Sequence, residues 1–276
     1  MIVDFSLRPP YKSLTNLEQY QKKPEDNFAP RIGMTVSPAA AQFSMDLLLK
    51  EMDDAGIVHG VCHGRPSVGT KNEDLTGVMK EYPGKFTAFA GVKYTNLNQA
   101  LAETKHCLDD LGLIGIAVEP SMGVPPLYPD DPKLYPIYEL CRERGALVLF
   151  TLSAQVGSDI SYSDPVHLDR VAADFPTVNL IVRHGCWPWV MEALGVALRR
   201  PNVYLVPDAY GVSMPGYQHW VEAANTYLAD RLLFGTAFPI VPLKPMVEAF
   251  RKLPFHDEVR EKVEYRNAAR LLKLPG

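Results

Sequence analysis

Polar and ionisable residues in this 276-residue chain fall where short apolar runs end: Asp4, Ser6 and Arg8, then His63 and Arg65, Lys93, Glu119, Thr151, Arg183-His184, and Asp208 with Tyr210. Imidazole is the side chain whose ordinary pKa lies near neutrality, so His184 is the candidate for proton transfer. Asp208 or Glu119 could orient it, act as a base, or neutralise Arg8. A carboxylate paired with a cation is a poor base, which favours the histidine as base and the carboxylates as its orienters. Arg8, Arg65 and Lys93 suit an anionic substrate, because a guanidinium presents a planar fork to carboxylate or phosphate. They could equally pair with Asp4, Glu119 or Asp208; for Lys93 pairing is preferred, and for both arginines the two readings stay open. Tyr210 could donate to a developing oxyanion, and Trp187, Trp189 and Phe238 could complete an aromatic wall. His63 is left open between a site and a packing role. His59, His106, His167, His219 and His256 read as surface residues.

The elements that must position these residues are short apolar segments alternating with helical ones. Strands are expected over 2–5, 57–62, 86–92, 114–118, 146–151, 178–183, 203–206 and 232–234, with helices such as Met45–Ala55 and 72–81 between them. Strands apolar throughout and separated by helices imply parallel pairing with both faces covered. Eight such units in one chain predict a single-domain (β/α)8 barrel over residues 1–276, with chemistry at the C-terminal ends of the strands. The stretch Pro9–Ser44 is too long for a plain strand-to-helix loop, so it is expected to cover the barrel mouth or make a subunit contact.

Composition narrows the function. A formal net charge of -4 without a basic run argues against a nucleic-acid surface. No apolar run reaches the length of a bilayer span, and the N-terminus has no signal-peptide pattern, so the cytoplasm is the expected compartment. Cys62, Cys107, Cys141 and Cys186 are far apart, as suits reduced, buried thiols.

Four segments in this order, Ile-Val-Asp-Phe-Ser-Leu-Arg-Pro from Ile2, Arg-His-Gly-Cys-Trp-Pro-Trp from Arg183, Leu-Leu-Phe-Gly-Thr-Ala-Phe-Pro from Leu232 and Asn-Ala-Ala-Arg-Leu-Leu from Asn267, carry a resemblance. The chain resembles the amidohydrolase superfamily, in the branch with aminocarboxymuconate-semialdehyde decarboxylase, aromatic-acid decarboxylases and small lactone hydrolases. The resemblance implies a distorted (β/α)8 barrel. It also implies a divalent metal held by Asp-x-His-x-His after the first strand, a His after the fifth, a His after the sixth and an Asp after the eighth. Here the corresponding residues are Ser6, Arg8, Thr151 and Ala237, and only His184 matches. A catalytic zinc needs about three His, Asp or Glu ligands, and a guanidinium at position 8 would repel a cation.

The sequence therefore predicts an enzyme with no metal and no cofactor, acting on a small anionic cyclic or aromatic-derived substrate. Hydrolysis of a lactone or ester is expected first, with His184 as general base, Asp208 and Glu119 as orienters, and Arg8, Arg65, Lys93, Thr151, Trp187 and Tyr210 around the substrate. Non-oxidative decarboxylation of an aromatic or unsaturated acid stands second, and a non-catalytic ligand-binding barrel third. Neither nucleic acid nor membrane is expected as a partner, and a homodimer is the oligomer the resemblance suggests.

Overall fold

The computed structural model describes residues 1–274. Seven parallel strands, β1 (Ile2–Asp4), β2 (Ile57–His63), β3 (Phe86–Gly91), β4 (Gly115–Val118), β5 (Leu147–Thr151), β6 (Leu180–Arg183) and β7 (Val203–Val206), pair in sequence order. The expected eighth strand is only a bridge, Leu232 opposite Leu205. The ring still closes. Leu233 N donates to the Leu205 carbonyl (2.9 Å), and Phe5 N donates to the Phe234 carbonyl (2.9 Å), which ties the last segment to β7 on one side and to the chain after β1 on the other. The architecture is thus a distorted α/β barrel with its seam at residues 232–238.

Local chemistry sets the element ends. Ser44 caps helix Met45–Ala55 by accepting from Leu47 N, and Gly56 ends it in the left-handed conformation. Asn96 caps Leu97–Asp109 and Asp164 caps Pro165–Asp174 in the same way. Gly145 (φ 61°) ends Tyr135–Arg144 one residue before the chain enters the approach to β5.

Two apolar layers follow from strand alternation. Val61, Phe89, Ala117, Leu149, Ile181, Val206 and Leu233 fill the inside of the barrel, with Ala268 of the helix Asn267–Leu272 in the same cluster. Leu180, Val182, Cys62, Val148 and Phe150 face outward under the helices. All four cysteines are buried and free. Gly235 is required at the seam, because a Cβ there would lie 2.7 Å from Val206 Cγ1 and 2.9 Å from Ser6 Cβ. Its absence lets the first, seventh and eighth strand ends meet. The segment 9–44 forms five short helical turns. No helix among the described residues is long and apolar enough to cross a membrane.

Candidate active site

A cavity of about 270 Å³ opens at the C-terminal ends of the strands, lined from the barrel by Arg8, His63, Arg65, Thr151, Ser153, Arg183, His184, Tyr210 and Ala237. Part of segment 9–44, including Leu17, Gln19, Asn27, Phe28 and Arg31, forms the opposite wall. The insertion therefore covers the mouth. Strand phase explains the barrel side: His63, Thr151 and Arg183 each stand two residues beyond an inward residue, Val61, Leu149 and Ile181, and so point along the same axis. Thr151 and Arg183 are also register partners across β5 and β6.

The centre of the floor is one imidazole between two guanidiniums. Arg8 Nη2 lies 2.8 Å and Arg183 Nη1 2.7 Å from His63 Nε2. A nitrogen that accepts from two N–H groups carries no proton, so His63 is neutral with its hydrogen on Nδ1, which is buried without a partner. Burial, followed by the charges of Arg183, Arg8 and Arg65, holds its pKa well below the ordinary histidine value. His63 accordingly spaces two cations at neutral pH.

A second chain of contacts runs from the same arginine to His184. Arg183 donates through Nε (3.0 Å) and Nη2 (2.7 Å) to Ser6 Oγ, which donates to Asp208 Oδ2 (3.0 Å). His184 Nδ1 donates to the Asp208 carboxylate at 2.9 Å, leaving Nε2 free of protein partners among the described residues. Tyr210 meets the His184 ring edge-on at 5.6 Å, and burial pushes its hydroxyl up to about 12, so it remains a donor. Beneath this layer Asp4 accepts from Ser6 N (3.0 Å), Thr236 N (2.9 Å) and Thr236 Oγ1 (2.5 Å), and so joins the first and last strand ends. Burial outweighs these hydrogen bonds and pushes Asp4 up to about 6.

Three of the non-glycine residues with positive φ sit at these strand exits: His184 (64°), Asp208 (39°) and Ala237 (64°). For an L residue this conformation costs about 1 kcal/mol or more, and such residues concentrate at functional sites.

Charge is unevenly matched. Arg65 Nε lies 2.6 Å from Glu119 Oε1, and Arg183 Nη2 lies 4.0 Å from Asp208 Oδ2. Arg8, only 2% exposed, has a long contact to Thr70 Oγ1 (3.5 Å) and the bond to His63, and among the described residues no carboxylate pairs with it. Burial, and after it the charge of Arg65, pushes its guanidinium down to about 9, which still leaves a cation at neutral pH. Thr151, in the same lining, has its Oγ1 buried without a partner.

Arg8, Arg65, Thr151, His184 and Tyr210 therefore meet in one cavity as expected, with Asp208 directly behind His184. Lys93, Glu119 and Trp187 do not line it. Lys93 lies past the end of β3, exposed, in the wall of neighbouring grooves. Glu119 is held by Arg65 and lines one of those grooves. Trp187 stacks behind Tyr210 (5.0 Å, 13°) and donates its Nε1–H to the Pro215 carbonyl (3.1 Å). His59 is a further departure: it is buried in β2, bonded to the Gly84 carbonyl (2.9 Å) and Thr87 Oγ1 (2.7 Å). Sequence reasoning left His63 undecided and gave Arg183 no role; the step of two from Val61 and Ile181 was the available signal for both.

Comparison with known proteins adds the following. A family model described as Amidohydrolase matches residues 27–274. Gamma-resorcylate decarboxylase of Rhizobium radiobacter is 23% identical over 246 residues, covering 74% of this chain and 75% of that protein. 2-Amino-3-carboxymuconate-6-semialdehyde decarboxylase of Dictyostelium discoideum is 31% identical over 88 residues, 32% of this chain and only 24% of that protein. Among solved structures, an uncharacterized TIM-barrel protein from Bordetella bronchiseptica superposes with a TM-score of 0.94 at 40% identity, covering 99% of this chain and 98% of the other. A dihydroxybenzoic acid decarboxylase from Polaromonas, solved with bound manganese and 2-nitroresorcinol, has a TM-score of 0.69 at 17% identity, with 99% and 98% covered. The lactone or ester hydrolase expected first from the sequence is corrected by these matches, because the curated relatives named above are decarboxylases.

Proposed function

The chain belongs to the amidohydrolase family, and we propose that it is a lyase that removes carbon dioxide, without a metal, from a small carboxylic acid carrying one negative charge. The decarboxylase relatives support the reaction class. The observation that carries the substrate charge is Arg8. Arg65 is paired with Glu119 and Arg183 lies 4.0 Å from Asp208, whereas among the described residues no carboxylate pairs with Arg8. A buried charge is costly until it is paired, and a substrate carboxylate supplies the partner.

The donor set does not suit a divalent cation such as the manganese of the Polaromonas enzyme. Among the described residues no three His, Cys, Asp or Glu side chains converge on one point. His63 Nε2 is occupied by two guanidiniums, and a metal near it would stand beside two fixed positive charges.

The reaction then follows from the residues present. Arg8 and Arg183 hold the substrate carboxylate. His184, protonated and with its Nδ1–H held by Asp208, donates its Nε2 proton to the carbon that bears the carboxylate. The new C–H bond takes a π electron pair from the substrate. The bond to the carboxylate carbon then breaks, its pair restores the π system, and carbon dioxide leaves. Solvent returns a proton to His184, so each turnover consumes one proton. Binding at Arg8 serves the ground state as much as the transition state, and the proton from His184 is what lowers the barrier.

The test is carbon dioxide release from a panel of ring carboxylic acids, before and after chelator treatment, with the wild type and His184→Asn. Chelator-insensitive release, reduced at least a hundredfold in the variant with acid binding retained, is the expected result. Release that stops on chelation and returns with manganese, or an undiminished variant, would sink the proposal.

A further inference from the structure

A hydroxyl has one proton to give and two lone pairs to fill, and Ser6 uses all three. Its Oγ accepts from Arg183 Nε (3.0 Å) and Nη2 (2.7 Å) and donates to Asp208 Oδ2 (3.0 Å). The direction is fixed, because a guanidinium has no acceptor and the serine proton is left for the carboxylate. Ser6 is 1% exposed, and its backbone N–H is held by Asp4 Oδ1 at 3.0 Å. The chain at Gly235 approaches so closely that a Cβ there would lie 2.9 Å from Ser6 Cβ. Ser6 and Asp208 both stand outside the cavity lining, so the serine reaches a substrate only through its partners.

What Ser6 keeps apart matters as much as what it joins. Arg183 Nη2 and Asp208 Oδ2 are 4.0 Å from one another, about 1 Å beyond a direct charged hydrogen bond. Opposite charges at that separation attract strongly in a buried site. Each has another duty: Asp208 accepts from His184 Nδ1 (2.9 Å), and Arg183 Nη1 lies 2.7 Å from His63 Nε2 beside Arg8. A direct Arg183–Asp208 pair would draw the carboxylate off the histidine or the guanidinium off the anion site. We propose that Ser6 is a positioning residue that acts as a spacer: its hydroxyl keeps these two charges from closing on one another, and so holds Asp208 on His184 and Arg183 on the substrate anion. The inference rests on the lyase reading above, in which Arg183 binds the carboxylate and His184 supplies the proton, and it adds the residue that sets both.

Turnover and structure together test this. Ser6→Ala should lower kcat for carbon dioxide release by about ten- to a hundredfold, the scale of one hydrogen bond to a charged group. Its crystal structure should show Arg183 and Asp208 in direct contact at about 2.8 Å. The double variant Ser6→Ala/Asp208→Asn should be no more than about threefold slower than Asp208→Asn alone, because residues that act through one another do not add. A serine that merely stabilises the fold would give losses that multiply. Ser6→Cys keeps the side-chain size with a weak donor in place of the hydroxyl, and it carries the same comparison if the alanine variant does not fold. Multiplying losses, or a folded Ser6 variant with kcat within about twofold of the wild type, would overturn the spacer while the lyase reading stands. If the wild type releases no carbon dioxide from any ring acid, the lyase reading fails; Arg183 and Asp208 still apart in the variant structure then overturn the spacer on their own.

Discussion

Arg8 and Arg65 each follow a strand of the same barrel and line the same cavity, and they differ in one neighbour. Arg65 has Glu119 at 2.6 Å. Arg8 is the more deeply buried and has a neutral imidazole instead. The first is a closed pair whose charge is already answered; the second is a cation whose counter-ion has to come from outside. Residue type and strand position are identical in kind, so it is the partner that separates a structural arginine from a binding one.

The sharpest way to break this comparison is Arg8→Met. It should lower kcat/KM for carbon dioxide release by about a thousandfold, the scale on which a buried charge contact is lost. Thermal stability should be unchanged or higher, since an unpaired buried charge is removed. A stable variant with ordinary turnover would show that Arg8 is not the anion site. Arg65→Met should reverse the pattern. It strands Glu119 without its cation, so urea denaturation should report a loss of about 3 kcal/mol, while kcat/KM falls less than tenfold. Equal kinetic loss in the two variants would erase the distinction.

The smallest effect concerns two buried groups near the strand ends, Asp4 and His63, and its sign differs between them. Asp4 is raised to about 6 from 3.8, so the native state binds its proton more tightly than the unfolded chain, and this contribution is full below 3.8 and lost as pH rises through 6. His63 is held below 6.5, so its contribution is present above 6.5 and lost as pH falls. Between roughly pH 4 and 6 the two oppose each other. Asp4→Asn should uncover the His63 slope, with stability declining toward acid by up to about 1.4 kcal/mol per pH unit. Denaturant melts of the variant at pH 5, 6 and 7 check it; a profile no steeper than that of the wild type would contradict the assignment.

The barrel was legible because its strands are apolar throughout and its helices carry standard caps, as at Ser44 and Gly56. The eighth strand was legible as an apolar run, Leu232-Leu233-Phe234, but its short bridge to Leu205 depends on packing that no local pattern encodes. Arg8, His184 and Asp208 could be found from position and residue type. Which cation would remain unpaired could not, because the Arg65–Glu119 contact joins residues 54 positions apart in sequence. Lys93 and Trp187 misled for a simpler reason: both lie near a strand end, but one side chain turns to solvent and the other stacks behind Tyr210. The reaction class was weighed wrongly because the cations and the histidine suit hydrolysis and decarboxylation alike.

One bond joins the two walls of the cavity. Tyr20, within the insertion, donates its hydroxyl to the main-chain carbonyl of Arg8 at 2.6 Å, and burial pushes that phenol up, which keeps it a donor. Any excursion of the insertion away from the barrel has to release this bond. Coupling of this kind is reciprocal: an anion that steadies Arg8 also steadies the cover above it, and a cover that closes also steadies Arg8.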